Sequence, residues 1–274
     1  MIWMIIGVVL FAIGVGLLFA KRSQQDKLLE IKATRTTSAA DLNELAASVR
    51  ESLGQAGGFC QVAEVKGVVK ADPPLLSEMG KQPCAYYSCN VTRRYEETYW
   101  ETDSSSRQRV QKTRSGEETV SSNSQGVPFF VEDATGRVKV NPEGITPDTL
   151  KSVDRFEPGE PAAGGEIRFG GFSLSLSGPG LSSAGRRTLG YHFEERILPL
   201  DRPVYVLGEA RDATGEVVIQ KPGEKGRKFI ISLKSEEELV RSAEKAAKGF
   251  NWAAIIVAGL GLVLIMAGIL SKLF

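Results

Sequence analysis

Two long runs of apolar residues without a charged side chain lie near the two ends of the chain. The first covers residues 2–20 and is followed at once by Lys21-Arg22, and the second covers residues 252–270. At a rise of about 1.5 Å per residue, a helix of roughly 20 residues crosses the ~30 Å hydrocarbon core of a bilayer. A helix also satisfies its own backbone N–H and C=O groups, as lipid requires. The pattern therefore predicts transmembrane helices at 1–20 and 252–271 around a polar loop.

Two other interpretations of the first run are open. A secretory signal peptide would carry positive charge before the apolar stretch and a small-residue cleavage site after it, whereas here the basic pair follows the stretch. A buried core helix fits an uninterrupted apolar run at each end of the chain poorly. No GxxxG pair occurs within either run, and the spacings Ala12-x-x-x-Gly16 and Ala254-x-x-x-Ala258 are weaker small-residue signals for helix packing.

The polar loop begins with two helical signals. Residues 21–36 are charged, and we expect them to continue the first helix as a juxtamembrane segment. A separate short helix is predicted from Ser38, its N-cap, to Gly54 just beyond its end. Its apolar stripe is formed by Leu42, Leu45, Val49 and Leu53. Such a stripe requires a sheet to pack on.

From residue 59 onward, alternating apolar and polar positions predict mostly antiparallel β structure. A long strand over residues 84–101 is paired with a polar return strand over 107–119. Tight hairpins are predicted at 127–140 and 203–220, each with a glycine in its turn. Further strands are expected at 59–70, 191–198 and 227–233, before a helix that starts near Glu236 and leads into the second apolar run.

Glycine and proline become frequent between residues 154 and 186, where we expect a flexible loop with some β structure. No Gly-Lys-Ser/Thr follows these glycines, so no phosphate-binding loop is predicted. The resulting fold class is α+β, with a mostly antiparallel β domain at 37–248, short flanking helices and a transmembrane helix at each end. Because each half of this domain leaves an apolar face uncovered, we expect the halves to fold together as one sheet system.

Few side chains indicate chemistry. The chain has three cysteines, one histidine and a net charge of +1. Cys84 and Cys89 are five positions apart in one predicted strand, so we expect them on opposite faces and unpaired. His192 is interpreted as a surface or hairpin histidine rather than as the base for a nucleophile among Cys60, Cys84 and Cys89. Glu96-Glu97 and Glu194-Glu195 are interpreted as solvated pairs. We therefore predict no catalytic, cofactor-binding or metal-binding residues and, without a basic stretch interleaved with aromatics, no nucleic-acid partner.

Basic residues indicate the orientation of the loop. On the loop side they flank both apolar runs, at Lys21, Arg22, Lys27, Lys32, Arg35, Lys245 and Lys248. On the far side there are only Lys272 and the amino terminus. The positive-inside rule then predicts an integral membrane protein of two spans whose loop domain is cytoplasmic.

Several short motifs resemble the GIDE domain, also called BAM for "beside a membrane", of the mitochondrial and chloroplast outer-membrane RING ubiquitin ligases. They are Thr36-Thr37-Ser38-Ala39-Ala40-Asp41-Leu42, Glu64-Val65-Lys66-Gly67, Pro128-Phe129-Phe130 with Asp133 and Gly136, Glu195-Arg196-Ile197-Leu198-Pro199 and Val206-Leu207-Gly208-Glu209. Because these are strand and turn residues, the resemblance is specific for the fold. It implies a GIDE domain between two spans.

The resemblance to those ligases does not extend to a RING. A RING holds two zinc ions with eight cysteine or histidine ligands, and three cysteines with one histidine supply four. We therefore expect a non-catalytic binding or scaffolding domain at the bilayer surface, with the bilayer and an unidentified protein as partners. One alternative is a ubiquitin ligase-like or accessory subunit that uses the RING of another chain. Another is a hydrolase with an unrecognised cysteine site.

Overall fold

The predicted α+β class is confirmed, since most regular structure is β and an apolar helix lies at each end. The computed structural model describes residues 2–102, 108–160, 166–175, 186–213 and 215–273. The helices are α1 (Ile2–Ala33), α2 (Ala39–Leu53) and α3 (Glu236–Leu273). The strands are β1 (Cys60–Lys70), β2 (Leu75–Leu76), β3 (Pro83–Thr102), β4 (Arg109–Gly126), β5 (Phe129–Glu132), β6 (Arg137–Val140), β7 (Leu150–Pro158), β8 (Glu166–Phe169), β9 (Phe172–Ser175), β10 (Arg186–Pro199), β11 (Pro203–Arg211), β12 (Val218–Gln220) and β13 (Ile230–Ser232).

Helices α1 and α3 are both long and apolar enough to cross a membrane. Helix α1 continues without a break into the charged segment, as the sequence predicts. Helix α3 begins in the polar domain and continues into the second apolar run. Its first turn is closed by a capping box, in which the Glu238 amide donates to Ser235 Oγ at 3.3 Å and the Ser235 amide donates to Glu238 Oε2 at 3.2 Å.

Helix α2 has the predicted ends but a different buried face. The Asp41 amide donates to Ser38 Oγ at 3.1 Å, and Gly54 closes the helix in the left-handed conformation at φ 67°. The buried residues are Ala39, Leu42 and Ala46, whereas Leu45 and Leu53 of the predicted stripe are about half exposed. Because Ala39, Leu42 and Ala46 follow the spacing i, i+3, i+7, they form one narrow helix face that does not include the two leucines.

Backbone contacts divide the chain into two compact units. Unit 1 comprises Met1–Lys66, Val204–Ile230 and Lys234–Phe274, and unit 2 comprises Gly67–Pro203 and Ile231–Leu233. Each unit takes segments from both sides of the glycine-rich segment. Neither unit therefore corresponds to one half of the chain, and folding of the halves as one cooperative domain at 37–248 stays a prediction.

Unit 1 contains the predicted hairpin of β11 and β12, with Arg211 opposite Val218. Its apolar cluster joins α1 and α3 to these strands through Ile31, Tyr205, Leu207, Ile230 and Leu239. The end of α1 and the start of α3 are thus part of the core of a folded unit.

Unit 2 contains a sheet in which β3 is the second strand. Strand β4 pairs with β3 along its length, from Tyr86 opposite Gly126 to Thr102 opposite Arg109. Strand β10 pairs with the other side of β3, and β7 pairs with β10. The predicted hairpin of β5 and β6 is also present, and its turn is held by Asp133 Oδ1, which accepts hydrogen bonds from the amides of Thr135 and Gly136.

Residues 154–186 are more ordered than the predicted loop where the structure describes them. Residues 154–158 belong to β7, and β8 and β9 form a hairpin rather than the single strand we expected. Ile167 and Phe172 of this hairpin are buried, and the Phe169 and Phe193 rings stack with centroids 5.1 Å apart. Residues 161–165 and 176–185 lie outside the described residues, so flexibility of this segment stays a prediction.

The prediction that Cys84 and Cys89 lie on opposite faces is wrong. Both belong to the apolar cluster of unit 2. The register of β3 against β10 shifts between Tyr86 and Cys84, so Ala85 is an extra residue in a β-bulge. That extra residue returns Cys84 to the face of Cys89. The cysteines are nevertheless both free, as expected.

Candidate functional site

The described residues that the sequence singled out for chemistry do not assemble into a nucleophilic site. Burial raises the pKa of the Cys84 thiol to about 11, with a further contribution from the charge of Glu195. Burial also raises the pKa of the Cys89 thiol to about 12, and the hydrogen bond from its Sγ to Glu78 Oε2, 3.0 Å long, adds to the shift. Both thiols are therefore protonated at neutral pH, whereas nucleophilic attack requires the thiolate.

The lone histidine is bound to a carboxylate. His192 lies on β10, is partly buried, and its Nε2 is 2.6 Å from Asp154 Oδ1. It is thus a partly exposed strand residue with a carboxylate partner, which is consistent with the interpretation as a surface or hairpin histidine. Among the residues that the structure describes, no group of three or more His, Cys, Asp or Glu side chains is placed to hold a metal ion.

The interpretation of Glu195 as a solvated residue is wrong, because its side chain is fully buried. Its carboxylate accepts hydrogen bonds from the Met79 amide at 2.5 Å, the Gly80 amide at 3.0 Å and Ser152 Oγ at 2.8 Å. A carboxylate with three donors is satisfied and fixes the chain segment before β3. The side chain is therefore structural, although it stands in a motif shared with GIDE proteins.

A polar network around one buried carboxylate connects separate segments of unit 1. Glu64 of β1 is fully buried. Its Oε1 accepts from Thr36 Oγ1 at 2.6 Å, and its Oε2 accepts from the Tyr205 hydroxyl at 2.8 Å. Lys66 lies 3.2 Å from Glu64 Oε1 and donates to Glu236 Oε2 at 2.6 Å. We call these five residues the junction network, since they connect the chain after α1, two strands and the first residue of α3.

The charges of the junction network are mutually stabilised. Burial lowers the pKa of Lys66, but hydrogen bonds and charges from Glu236 and Glu64 outweigh burial, so the net shift is upward. Burial raises the pKa of the Tyr205 hydroxyl, and its bond to Glu64 raises it further. The network therefore holds a protonated phenol and an ammonium around one carboxylate at neutral pH. The Glu64-Val65-Lys66-Gly67 motif marked this position, but not the burial of the carboxylate.

Helices α1 and α3 pack antiparallel through small residues. Gly7, Gly14, Ala254, Gly261 and Gly268 are all buried and recur at intervals of seven. A Cβ on Gly7 would lie 2.8 Å from the Gly261 carbonyl oxygen, so the backbones are in direct contact there. At the end of the apolar runs, Lys21 Nζ donates to Asn251 Oδ1 at 2.7 Å. The sequence-based search for four-residue spacings missed this seven-residue pattern.

An open groove of about 690 Å³ adjoins the junction network in unit 1. Its walls combine exposed Leu29 and Leu45 with Arg35 and Arg227. Glu30 also lines it, and its Oε2 accepts from the Lys228 amide at 2.8 Å. The groove offers apolar and charged contacts, as a binding surface does, without a reactive group at its centre.

Comparison with known proteins identifies the relatives of the chain. The GIDE family model, described as "E3 Ubiquitin ligase", matches residues 97–265. Two Arabidopsis thaliana proteins are similar. The E3 ubiquitin-protein ligase SPL1 is 32% identical over 142 residues, which are 51% of this chain and 38% of that protein. The E3 ubiquitin-protein ligase SP1 is 32% identical over 153 residues, or 54% and 40%. The chain thus aligns with about two fifths of each relative's length, and no solved structure matches it.

Proposed function

The chain belongs to the GIDE family of E3 ubiquitin ligases, and on that premise we propose that it is a membrane-anchored protein whose β-rich domain binds or scaffolds a partner at the bilayer surface without catalysis of its own. The observation that carries the proposal is the way in which the two apolar helices are joined to the domain. Helices α1 and α3 pack on each other through backbone contacts, and both continue into the apolar core of unit 1. Two spans held this way fix the domain at the membrane surface.

The absence of a catalytic role is supported by the state of the ionisable groups. The two buried thiols have raised pKa values, and Glu195 and Glu64 are both engaged by hydrogen-bond donors. Binding through a surface such as the groove of unit 1 requires none of these groups to react.

A second candidate function is that of an accessory subunit of a ubiquitin ligase. The printed names of SPL1 and SP1 favour it, because both are E3 ubiquitin-protein ligases. As an accessory subunit, the chain would anchor the ligase to the membrane and provide a substrate-binding surface, and another chain would provide the RING.

Ubiquitin transfer with purified components distinguishes these roles. We expect the full chain in lipid vesicles, supplied with ubiquitin, an activating enzyme and a conjugating enzyme, to give no more ubiquitin conjugates than empty vesicles. Addition of a RING-containing ligase should leave the total rate unchanged for a scaffold and redirect conjugation to the vesicle surface for an accessory subunit. Stimulation by the chain alone, together with two bound zinc ions per chain, would refute the non-catalytic role.

We further propose that the loop domain faces the cytoplasm, because the basic residues flank the helices on the loop side. Cys60 is exposed whereas Cys84 and Cys89 are buried, so the native chain carries its own probe. A membrane-impermeant maleimide should label Cys60 only after permeabilisation of intact cells. The Cys60→Ala variant should remain unlabelled in both conditions. Full labelling of Cys60 before permeabilisation would place the domain on the outer side.

A further inference from the structure

Strand β4 is an open edge of the sheet in unit 2. Within the described part of the chain it pairs only with β3, along 18 residues, and most of its residues are exposed. Edge strands of this length invite pairing with another chain, and proteins normally protect them with prolines, bulges or unpaired charges. Strand β4 contains no proline. Its regular part ends at a bulge formed by Val120, which is the extra residue where Val91 faces Ser121 and Thr92 faces Thr119.

The four charged side chains between Gln111 and Thr119 of β4 do not protect its edge, because each is paired with an opposite charge on β3. The pairs are Lys112 with Glu101 at 2.7 Å, Arg114 with Glu97 at 2.6 Å, Glu117 with Arg94 at 2.8 Å and Glu118 with Arg93 at 2.9 Å. Because acidic and basic side chains both occur along this stretch, an approaching strand does not meet a row of like charges. The backbone between the bulge and the start of β4 therefore stays available.

When β4 pairs antiparallel with β4 of a second copy, acidic side chains of one strand can face basic side chains of the other. If the two copies are related by a two-fold axis perpendicular to the sheet, corresponding side chains lie on the same face of the joined sheet. The axis then lies midway between the two copies of one residue, and these two copies face each other. An axis at Ser115 places Lys112 opposite Glu118 of the second copy and Thr113 opposite Glu117, each twice. An axis at Arg114 would instead place two arginines opposite each other. An axis at Gly116 would place Arg114 opposite Glu118, but the bulge at Val120 would limit that pairing to residues 113–119. The complementary register uses residues 111–119 and ends at the bulge.

We propose that two copies of the chain associate through β4, with residues 111–119 of each forming an antiparallel pair centred on Ser115. The two sheets then continue as one across the dimer. This inference is independent of the proposed function and adds a homodimer interface that contains neither the junction network nor the groove. Opposite charges at facing positions contribute favourably, and main-chain hydrogen bonds contribute the rest of the affinity.

Disulfide formation at the axis tests the register. Directly opposed residues of an antiparallel pair have Cα atoms about 4.5–5.5 Å apart, within the range that a disulfide spans. In full-length chain with Cys60→Ala, in native membranes, Ser115→Cys should give a covalent dimer on mild oxidation. Thr119→Cys alone should not, because two copies of that residue would be about 27 Å apart along the strands. A mixture of Gln111→Cys and Thr119→Cys chains should crosslink, since these positions face each other.

Charge reversal tests the energetics of the same interface. Lys112→Glu places like charges opposite Glu118 twice per dimer, and we expect the dimer dissociation constant in detergent to rise about tenfold. Lys225→Glu makes the same charge change at an exposed position far from β4 in sequence and should leave the dissociation constant unchanged. A monomer at all concentrations, equal crosslinking at positions 115 and 119, or binding of β4 by a different polypeptide in place of a second copy would overturn the proposal.

Discussion

Replacement of Glu64 by glutamine is expected to lower the free energy of unfolding by about 2–4 kcal/mol. The carboxylate is buried and accepts from the Tyr205 hydroxyl and Thr36 Oγ1, with the Lys66 ammonium beside it. An amide of the same size keeps one acceptor oxygen but turns an NH₂ group toward these donors. A buried hydroxyl then loses its partner, and the half-exposed ammonium loses one of its two counterions while keeping Glu236.

Thermal unfolding in detergent, followed by circular dichroism, measures this effect. For a chain of this size, 2–4 kcal/mol corresponds to a decrease in the midpoint on the order of 5–15 °C. Glu51→Gln makes the same chemical change on the exposed face of α2 and should leave the midpoint unchanged. Trypsin should also cleave after Arg35 faster in Glu64→Gln, because the chain after α1 is no longer held through Thr36. Equal midpoints for the two variants would show that the network contributes nothing to stability.

The junction network also predicts the direction of a pH effect. The folded-state pKa of Tyr205 is raised above its ordinary value of 10.0, so the folded state favours the protonated phenol. This contribution is complete below pH 10 and is lost as the pH rises further, because the unfolded chain releases its proton first. The raised pKa of Lys66 acts in the same direction above 10.5. Tyr205→Phe should therefore be less stable at pH 8 but lose less stability between pH 10 and 11.

Periodicity predicted those elements that have one apolar face. The β3 strand, the β5–β6 hairpin and the helix α2 each bury one side, and all are present within a few residues of the predicted bounds. The β11–β12 hairpin was also predicted, although β11 is buried on both faces. Strand β7 was missed because it is an edge strand with both faces largely exposed, so its residues show no alternation. Periodicity reports burial, and an element without a buried face leaves no such signal.

Buried polar groups were harder to predict than apolar ones. A glutamate in a valine-rich strand is compatible with either face, and its neighbours in sequence do not reveal the donors that it meets. Glu64 is hydrogen-bonded to Tyr205, which lies 141 positions later in the chain, and Glu195 to the Met79 amide, which lies 116 positions earlier. The bulge at Ala85 had the same origin, since register depends on the partner strand. These contacts exist only in the tertiary fold.

Resemblance to the GIDE family anticipated the architecture correctly, because the shared motifs are structural. Asp133 closes the turn of the β5–β6 hairpin, and Glu64 and Glu195 satisfy buried donors. Gly67 lies so close to β5 that a Cβ there would be 2.4 Å from the Glu132 carbonyl oxygen. These roles belong to the fold and do not depend on what the protein binds. The motifs therefore predict the fold and leave the partner open.

The double variant Gly7→Leu with Gly14→Leu is expected to separate α1 from α3. A Cβ at Gly7 would lie 2.8 Å from the Gly261 carbonyl oxygen, and one at Gly14 would lie 2.9 Å from the Ala258 amide nitrogen. Backbone atoms of a helix cannot move aside as a flexible side chain can, so the helices must shift apart. Overpacking of this kind costs about 1–3 kcal/mol per site. Because both substitutions force the same separation of the helices, their combined cost is expected to be less than the sum.

Crosslinking between Lys21 of α1 and Asn251 of α3 measures the separation of the two helices directly. Lys21 and Asn251 are hydrogen-bonded in the folded chain, so cysteines at these positions, with Cys60→Ala, should react with a short bismaleimide in membranes. We expect the crosslink to be lost in the Gly7→Leu, Gly14→Leu variant. The matched control is Gly16→Leu with Gly259→Leu, because a Cβ at either position meets no atom within 4 Å. The crosslink should persist in that control. If both double variants crosslinked alike and unfolded at the same temperature, small-residue contact would not be what holds α1 against α3.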